Sequence, residues 1–283
     1  MATISAADVK ALRDRTDLPM MDCKKALTEA GGDMEKAILL LRERFKNVAN
    51  KRAGNETAEG RIGTYVDPQG QVGAIVEVRC ESPSVVKNEH FIALATDLAK
   101  QVALGNPKDV DALNSGPLAW QPSMTGQDRI NETIGLIREN MRVNRFERLE
   151  GFCGEYVHHD GSVGVLLAVK GKSPDAALLR DVATHIAAMN PVYCRREDVP
   201  PEVVTRETEL AKTQAQREGE GKPENVIEKM AEGILKRWFS ESVLLEQAIA
   251  NQTKYPKKTV GDVLKSAGLE LVKYIRYRVG EAA

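Results

Sequence analysis

The sequence predicts an α+β protein: an N-terminal three-helix unit, then two duplicated antiparallel-sheet-plus-helix subdomains, with an antiparallel helical hairpin inserted in the second. Three observations carry this reading. Apolar residues recur at helical spacing through the first 45 positions, one glycine-bearing hairpin signature occurs twice, and a polar helical stretch interrupts the second copy.

Residues 1–45 read as a small helical unit. Ser5 can cap a first helix, with Asp8 three positions on and Val9 and Leu12 on its inner side. The run DCKKALTEAGG gives a second short helix that Gly31 and Gly32 end. Asp33 then caps a third, in which Ala37, Ile38, Leu41 and Phe45 share a face. Residues 46–60 are polar and unpatterned, the composition of a linker or a loosely held helix.

The duplication follows, with subdomains expected at 61–145 and 146–283. YVDPQGQVGAIVEV from Tyr65 and YVHHDGSVGVLLAV from Tyr156 share Tyr, Val, Gly, Val, Gly and Val at the same six offsets. Ser82-Pro83 and Ser173-Pro174 recur at equal spacing, and DLAKQVA from Asp97 resembles DVATHIA from Asp181. Each copy reads as strand, glycine turn, strand, loop and covering helix, and the two copies are expected side by side. Gly105, Pro107, Gly116, Pro117, Pro122 and Gly126 mark residues 105–127 as a long surface loop. Residues 202–239 form the inserted hairpin, broken at Gly219, Gly221 and Pro223. Its second arm places Ile227, Met230, Ile234 and Trp238 on one face, and its first arm has a thinner stripe with Val203 and Leu210. YIRYRVG alternates, with Ile275, Tyr277 and Val279 on one side, as a closing strand does.

Composition narrows the function. Forty basic against forty-one acidic side chains argue against a nucleic-acid binder, and 5% aromatics are too few for base stacking. No apolar run is long enough to span a bilayer, and no secretory signal is visible at the start. Cys23, Cys80, Cys153 and Cys194 form no CxxC pair, as expected of reduced thiols in a cytoplasmic protein. No phosphate loop, nucleophile elbow or zinc-protease motif occurs, so neither covalent catalysis nor a cofactor is expected. In His158-His159-Asp160, adjacent strand side chains point to opposite faces; a solvated turn explains the triplet better than a metal site does.

The run LRDRTDLPMMDCKKALTEAGGDMEKA, from Leu12 to Ala37, closely resembles the N-terminal signature of the bacterial elongation factor Ts family. The hairpins from Tyr65 and Tyr156, GKPENVIEKMAEG, SVLLEQ, KTVGDVLKSAG and YIRYRVGE continue the resemblance in order. It implies a ubiquitin-associated-like fold for the N-terminal unit and a role as nucleotide-exchange factor for the GTPase elongation factor Tu. It also implies that the region around Arg13, Met20 and Met21 docks on the GTPase's nucleotide domain, and polarizable Met suits such a surface. Family members usually follow the cysteine of the first repeat with Thr-Asp-Phe-Val, the Asp and Phe projecting beside the GTPase's magnesium and phosphate site. Here Ser82 takes the Thr place and Val85 the Val place, while Pro83 and Ser84 replace Asp and Phe. His158 matches a histidine frequent in the family's second turn. The hairpin has two readings in the family, homodimerisation or contact with the GTPase.

The leading expectation is a non-covalent exchange factor that binds the GDP form of elongation factor Tu and promotes GDP release. The alternative is a protein that binds this GTPase but has weakened or lost exchange, because the Asp-Phe pair is replaced.

Overall fold

The computed structural model describes residues 4–16 and 18–281; the remaining positions of the expected terminal units lie outside it. Helix α1 (Ala6–Thr16) begins as the capping pattern predicts: the Ser5 hydroxyl accepts from the Asp8 N–H, and the Asp8 carboxylate accepts from the Ser5 N–H, both at 3.1 Å. Helix α2 (Met20–Glu29) follows Pro19, two residues earlier than DCKKALTEAGG suggests. Gly31 and Gly32 then take positive φ of 66° and 89°, which reverses the chain into α3 (Met34–Arg52). The Asp33 side chain caps α3 by accepting from the Lys36 N–H at 3.0 Å. Leu12, Leu18, Cys23, Ala26, Leu27, Leu41 and Phe45 form the core of the three helices.

Helix α3 does not stop at Phe45. Val48 and Ala49 extend its apolar stripe at spacings of three and four, and Ala49 is buried in the next subdomain's core. Seven residues of the expected linker are therefore helix, and one rod runs through two cores. One turn before Ala49, Phe45 packs against Gly135, where a side chain would collide with its ring.

The first repeat pairs β1 (Glu59–Val66) with β2 (Val72–Cys80), and β5 (Met141–Glu150) completes a sheet in the order β1-β2-β5. Helix α4 (Glu89–Gly105) covers its outer face, burying Phe91, Leu94, Leu98 and Val102. The expected loop at 105–127 is built otherwise. It holds helix α5 (Val110–Ser115) and the small hairpin β3 (Pro117–Leu118) and β4 (Gln121–Thr125), with Leu113, Leu118 and Met124 buried. Helix α6 (Gly126–Ile137) follows, capped reciprocally by Thr125 and Asp128. The Gly and Pro residues there punctuate short elements; they do not mark a structureless stretch.

The second repeat has the same plan. β6 (Phe152–Val157), β7 (Val163–Gly171) and β8 (Leu269–Arg278) make a sheet ordered β6-β7-β8, covered by α7 (Ala176–Met189) and α10 (Val260–Ser266). The boundary expected between 145 and 146 falls inside β5, which pairs with β2 as far as Glu150. The break is one residue on, at Gly151, whose φ is +113°.

The two sheets pack face to face, not side by side. Ile62, Ile75, Leu149, Cys153, Leu166, Ala168, Ile275 and Tyr277 fill the space between them, so the closing strand buries the residues its alternation predicts. Between α7 and α10 the chain leaves the sheet as a helical hairpin, α8 (Pro201–Glu218) and α9 (Glu224–Ser242). Its arms meet over Ala211 and Ala215, and its root is a separate small cluster of Val199, Phe239 and Val243. Ile227, Met230, Ile234 and Trp238 are half-buried along α9.

Candidate partner-binding surface

The described residues contain no group of three or more His, Cys, Asp or Glu placed to hold a metal ion. Burial pushes the thiols of Cys80 and Cys153 up to about 12, helped by Glu139 and Glu59 beside the first and Asp67 beside the second. Both stay protonated at neutral pH and serve as packing atoms.

The loop after β2 is fastened at both ends. Val85 is buried among the residues under α4 and anchors the loop, while Pro83 and Ser84 form its exposed tip. Residues 85–87 make one 3-10 turn: the Val86 N–H donates to the Pro83 carbonyl at 3.3 Å, and the Asn88 N–H donates to the Val85 carbonyl at 2.9 Å. Asn88 then caps α4 by accepting from the His90 N–H at 2.9 Å. Ser82 is held by Glu139, whose carboxylate accepts from its N–H at 3.0 Å and also from its hydroxyl. At the other end, Arg61 donates to the Val86 carbonyl at 3.2 Å. Neither Arg61 nor Glu139 was visible as a site residue. Glu139 is 57 positions from Ser82, and no spacing rule connects them.

In the N-terminal helices, Arg13 is exposed on α1, and Met20 and Met21 occupy the first turn of α2. Both methionines face solvent, at 43% and 72% exposure, so neither fills the core. Arg13, Leu18 and Pro19 share a shallow cleft with Asn88, His90, Leu136 and Ile137. The helical unit and the base of the first-repeat loop thus border one depression.

His158 lies half-buried at the start of the second repeat's turn. Its Nδ1 is 3.1 Å from the Tyr156 hydroxyl, and its ring meets that of His159 edge-on at 4.3 Å. The turn is closed by the Gly161 N–H donating to the His158 carbonyl at 2.8 Å. Asp160 accepts from the Ser162 N–H and hydroxyl at 2.8 and 2.7 Å, which hold its carboxyl below the usual range. Arg61 spans from this turn to Val86, so the first-repeat loop and the second-repeat turn also adjoin.

Arg13 therefore shares its cleft with Asn88 and His90, at the end of the loop that begins at Ser82, and Arg61 connects Val86 of that loop with Gly161 in the turn bearing His158. Met20 and Met21 follow Pro19 at the rim of the cleft.

Comparison with known proteins gives a consistent result. Residues 81–281 match the profile of the family described as Elongation factor TS. Over 283 aligned residues the chain is 43% identical to elongation factor Ts of Azoarcus sp., covering 99% of this chain and 92% of that protein. It is 44% identical to the elongation factor Ts of Thiobacillus denitrificans, covering 99% and 93%. The elongation factor Ts of Aquifex aeolicus is 41% identical over 292 residues, covering 98% of each. With its two repeats, its N-terminal helices and its inserted hairpin all inside these alignments, the chain belongs to the elongation factor Ts family of translation elongation factors.

Proposed function

We propose that this protein binds elongation factor Tu in its GDP form and promotes GDP release by a non-covalent, allosteric mechanism. The observation that carries the reading is the placement of the exposed Pro83-Ser84 tip on a loop anchored by Val85 and fastened at both ends. A loop of this kind presses on a partner without first being ordered, so less binding energy goes into ordering it. Arg13, Met20 and Met21 are the proposed second contact, on the GTPase's nucleotide domain, and His158 contributes from the second turn. Binding at separate patches favours a GTPase state with weakened hold on magnesium and the β-phosphate. By linkage, the nucleotide-free GTPase then holds the factor more tightly, and fresh nucleotide expels it.

Pro83 and Ser84 favour a second reading, binding with weakened exchange. A buried aromatic anchor at an interface centre is commonly worth about 2–4 kcal/mol. At 1.4 kcal/mol per tenfold, its absence corresponds to roughly 30- to 1,000-fold. Titration calorimetry against elongation factor Tu·GDP and stopped-flow GDP release, run on one preparation, separate the two. Binding with accelerated release supports exchange, binding without acceleration supports the second reading, and no binding overturns both.

A further inference from the structure

The contact loop of the first repeat and the turn of the second are joined through one side chain. Arg61 lies on β1 and is half-buried. Its neighbour Ile62 donates a backbone N–H to the Gly161 carbonyl at 2.9 Å, which sets β1 against the second repeat's turn. The Arg61 guanidinium covers Gly161 closely: a Cβ there would lie 2.6 Å from Nη1 and 2.9 Å from Cζ. Gly161 also has φ of +77°, so both the conformation and the space call for glycine. From that position Arg61 reaches the Val86 carbonyl at 3.2 Å, at the far end of the loop from Glu139. Asp160, fixed by Ser162, supplies the neighbouring negative charge that opposes the cost of burying the guanidinium.

An apolar residue would fill a half-buried strand position without any desolvation cost. What Arg61 adds is directional: it holds the Val86 carbonyl, in the middle of the 3-10 turn, from a strand that lies against the other repeat's turn. We infer that Arg61 is a positioning residue that locks the loop at 82–88 to the turn at 158–162, so that a partner meets one rigid surface in place of two independently mobile segments. The functional half of this inference rests on the exchange reading above; the structural half does not.

The test uses the full chain with Arg61→Met, which keeps the unbranched stem, and Arg61→Lys, which keeps the charge. In the free protein, amide hydrogen exchange at Val85, Val86 and Asn88 should quicken about tenfold in Arg61→Met, because local opening no longer breaks the Arg61 bond. The melting temperature should move by no more than about 2 °C, since one partly exposed polar contact is lost. With elongation factor Tu·GDP, the release rate at saturating factor should fall about five- to tenfold, and Arg61→Lys should recover most of both changes. Unchanged protection of the three amides in Arg61→Met would overturn the lock, whatever the activity. A loosened loop with an unaltered release rate would overturn its role in function. Absence of release by the wild-type protein would sink the exchange reading and this functional role together, while the amide measurement still decides the lock.

Discussion

The backbone N–H of Cys153 donates to the carbonyl of Gly70 at 2.7 Å, and its counterpart in the other repeat, Ile62, donates to Gly161 at 2.9 Å. Both donors stand three residues before the shared tyrosine of their repeat, and both acceptors five residues after it. The repeats are thus related by an approximate two-fold, each strand reading the other's turn. The same symmetry pairs Gly73 with Gly164, and each faces a branched side chain across the sheets, Leu166 for the first and Ile62 for the second.

Adding a methyl group at either glycine overpacks this seam. Gly73→Ala and Gly164→Ala should each destabilise the protein by about 1–3 kcal/mol. Gly164→Ala should be the worse, because its new Cβ would collide with Cγ2 and lie 3.0 Å from Cβ of the stiff, branched Ile62. At Gly73 the tightest contact is the mobile end of Leu166 at 2.6 Å, with the Cys153 Cβ at 3.1 Å. Urea unfolding at constant slope measures both; equal midpoints with wild type would show that the seam is loose.

The hairpin should be dispensable for folding. Replacing residues 205–234 by a Gly/Ser connection leaves Phe239 and Val243 in their root cluster and touches none of the residues between the sheets. The shortened chain should melt cooperatively, and its sedimentation will show whether the hairpin also mediates self-association. Loss of the cooperative transition would mean that the arms stabilise the second repeat.

Met20 and Met21 should matter for a partner and not for the fold. Changing both to Ala removes side chains that are exposed, so the melting temperature should stay within about 2 °C while affinity for elongation factor Tu falls roughly tenfold or more. Calorimetry and a thermal melt on the same sample check this; a large drop in the melt would place them in the core.

Acid should weaken the second repeat through His185. Its ring is fully buried: Nδ1 accepts from the Ala250 N–H at 3.0 Å, which leaves Nε2–H to donate to the Gln247 side-chain oxygen at 2.8 Å. Burial lowers its pKa from 6.5, against the opposing Gln247 hydrogen bond. The unfolded chain therefore binds a proton more readily, and stability falls as pH drops below 6.5 toward the folded value. His185→Gln should flatten the dependence of the urea midpoint between about pH 6.5 and 5, above the range where most carboxylates titrate. An equally steep dependence in the variant would clear His185 of the effect.

Pro83→Asp with Ser84→Phe should raise the GDP release rate about tenfold or more, with a smaller change in affinity, and each single change should do less. Proline also stiffens the tip and removes one N–H donor. Stopped-flow release from the cognate GTPase at saturating factor reads this directly. A wild-type rate already equal to that of the double variant would mean that this tip never limits exchange.

Much of this architecture was legible in the chain because its signals are local or repeated. The capping by Ser5 and Asp33, the twin hairpins and the hairpin helices all follow from neighbours a few positions apart. Strand β5 was harder to place, since only its pairing with β2 separates NRFERLE from the β6 strand that follows it. Val48 and Ala49 were lost in a polar background, though they keep the helical step from Phe45. At the candidate surface, the tip at Pro83-Ser84 and the two methionines were expected from the family resemblance, which aligns them with the family's contact segments. Arg61 and Glu139 were not, because their partners are supplied by folding across 25 and 57 positions.

The rate of GDP release from elongation factor Tu, followed as a function of the concentration of this protein, tests the exchange function most directly. Release should rise with concentration and saturate well above the intrinsic rate of the GTPase alone, and it should fall when Met20 and Met21 are both Ala and the factor is below saturation. A release rate that stays at the intrinsic value at every concentration, in a mixture where calorimetry shows the complex has formed, would contradict it.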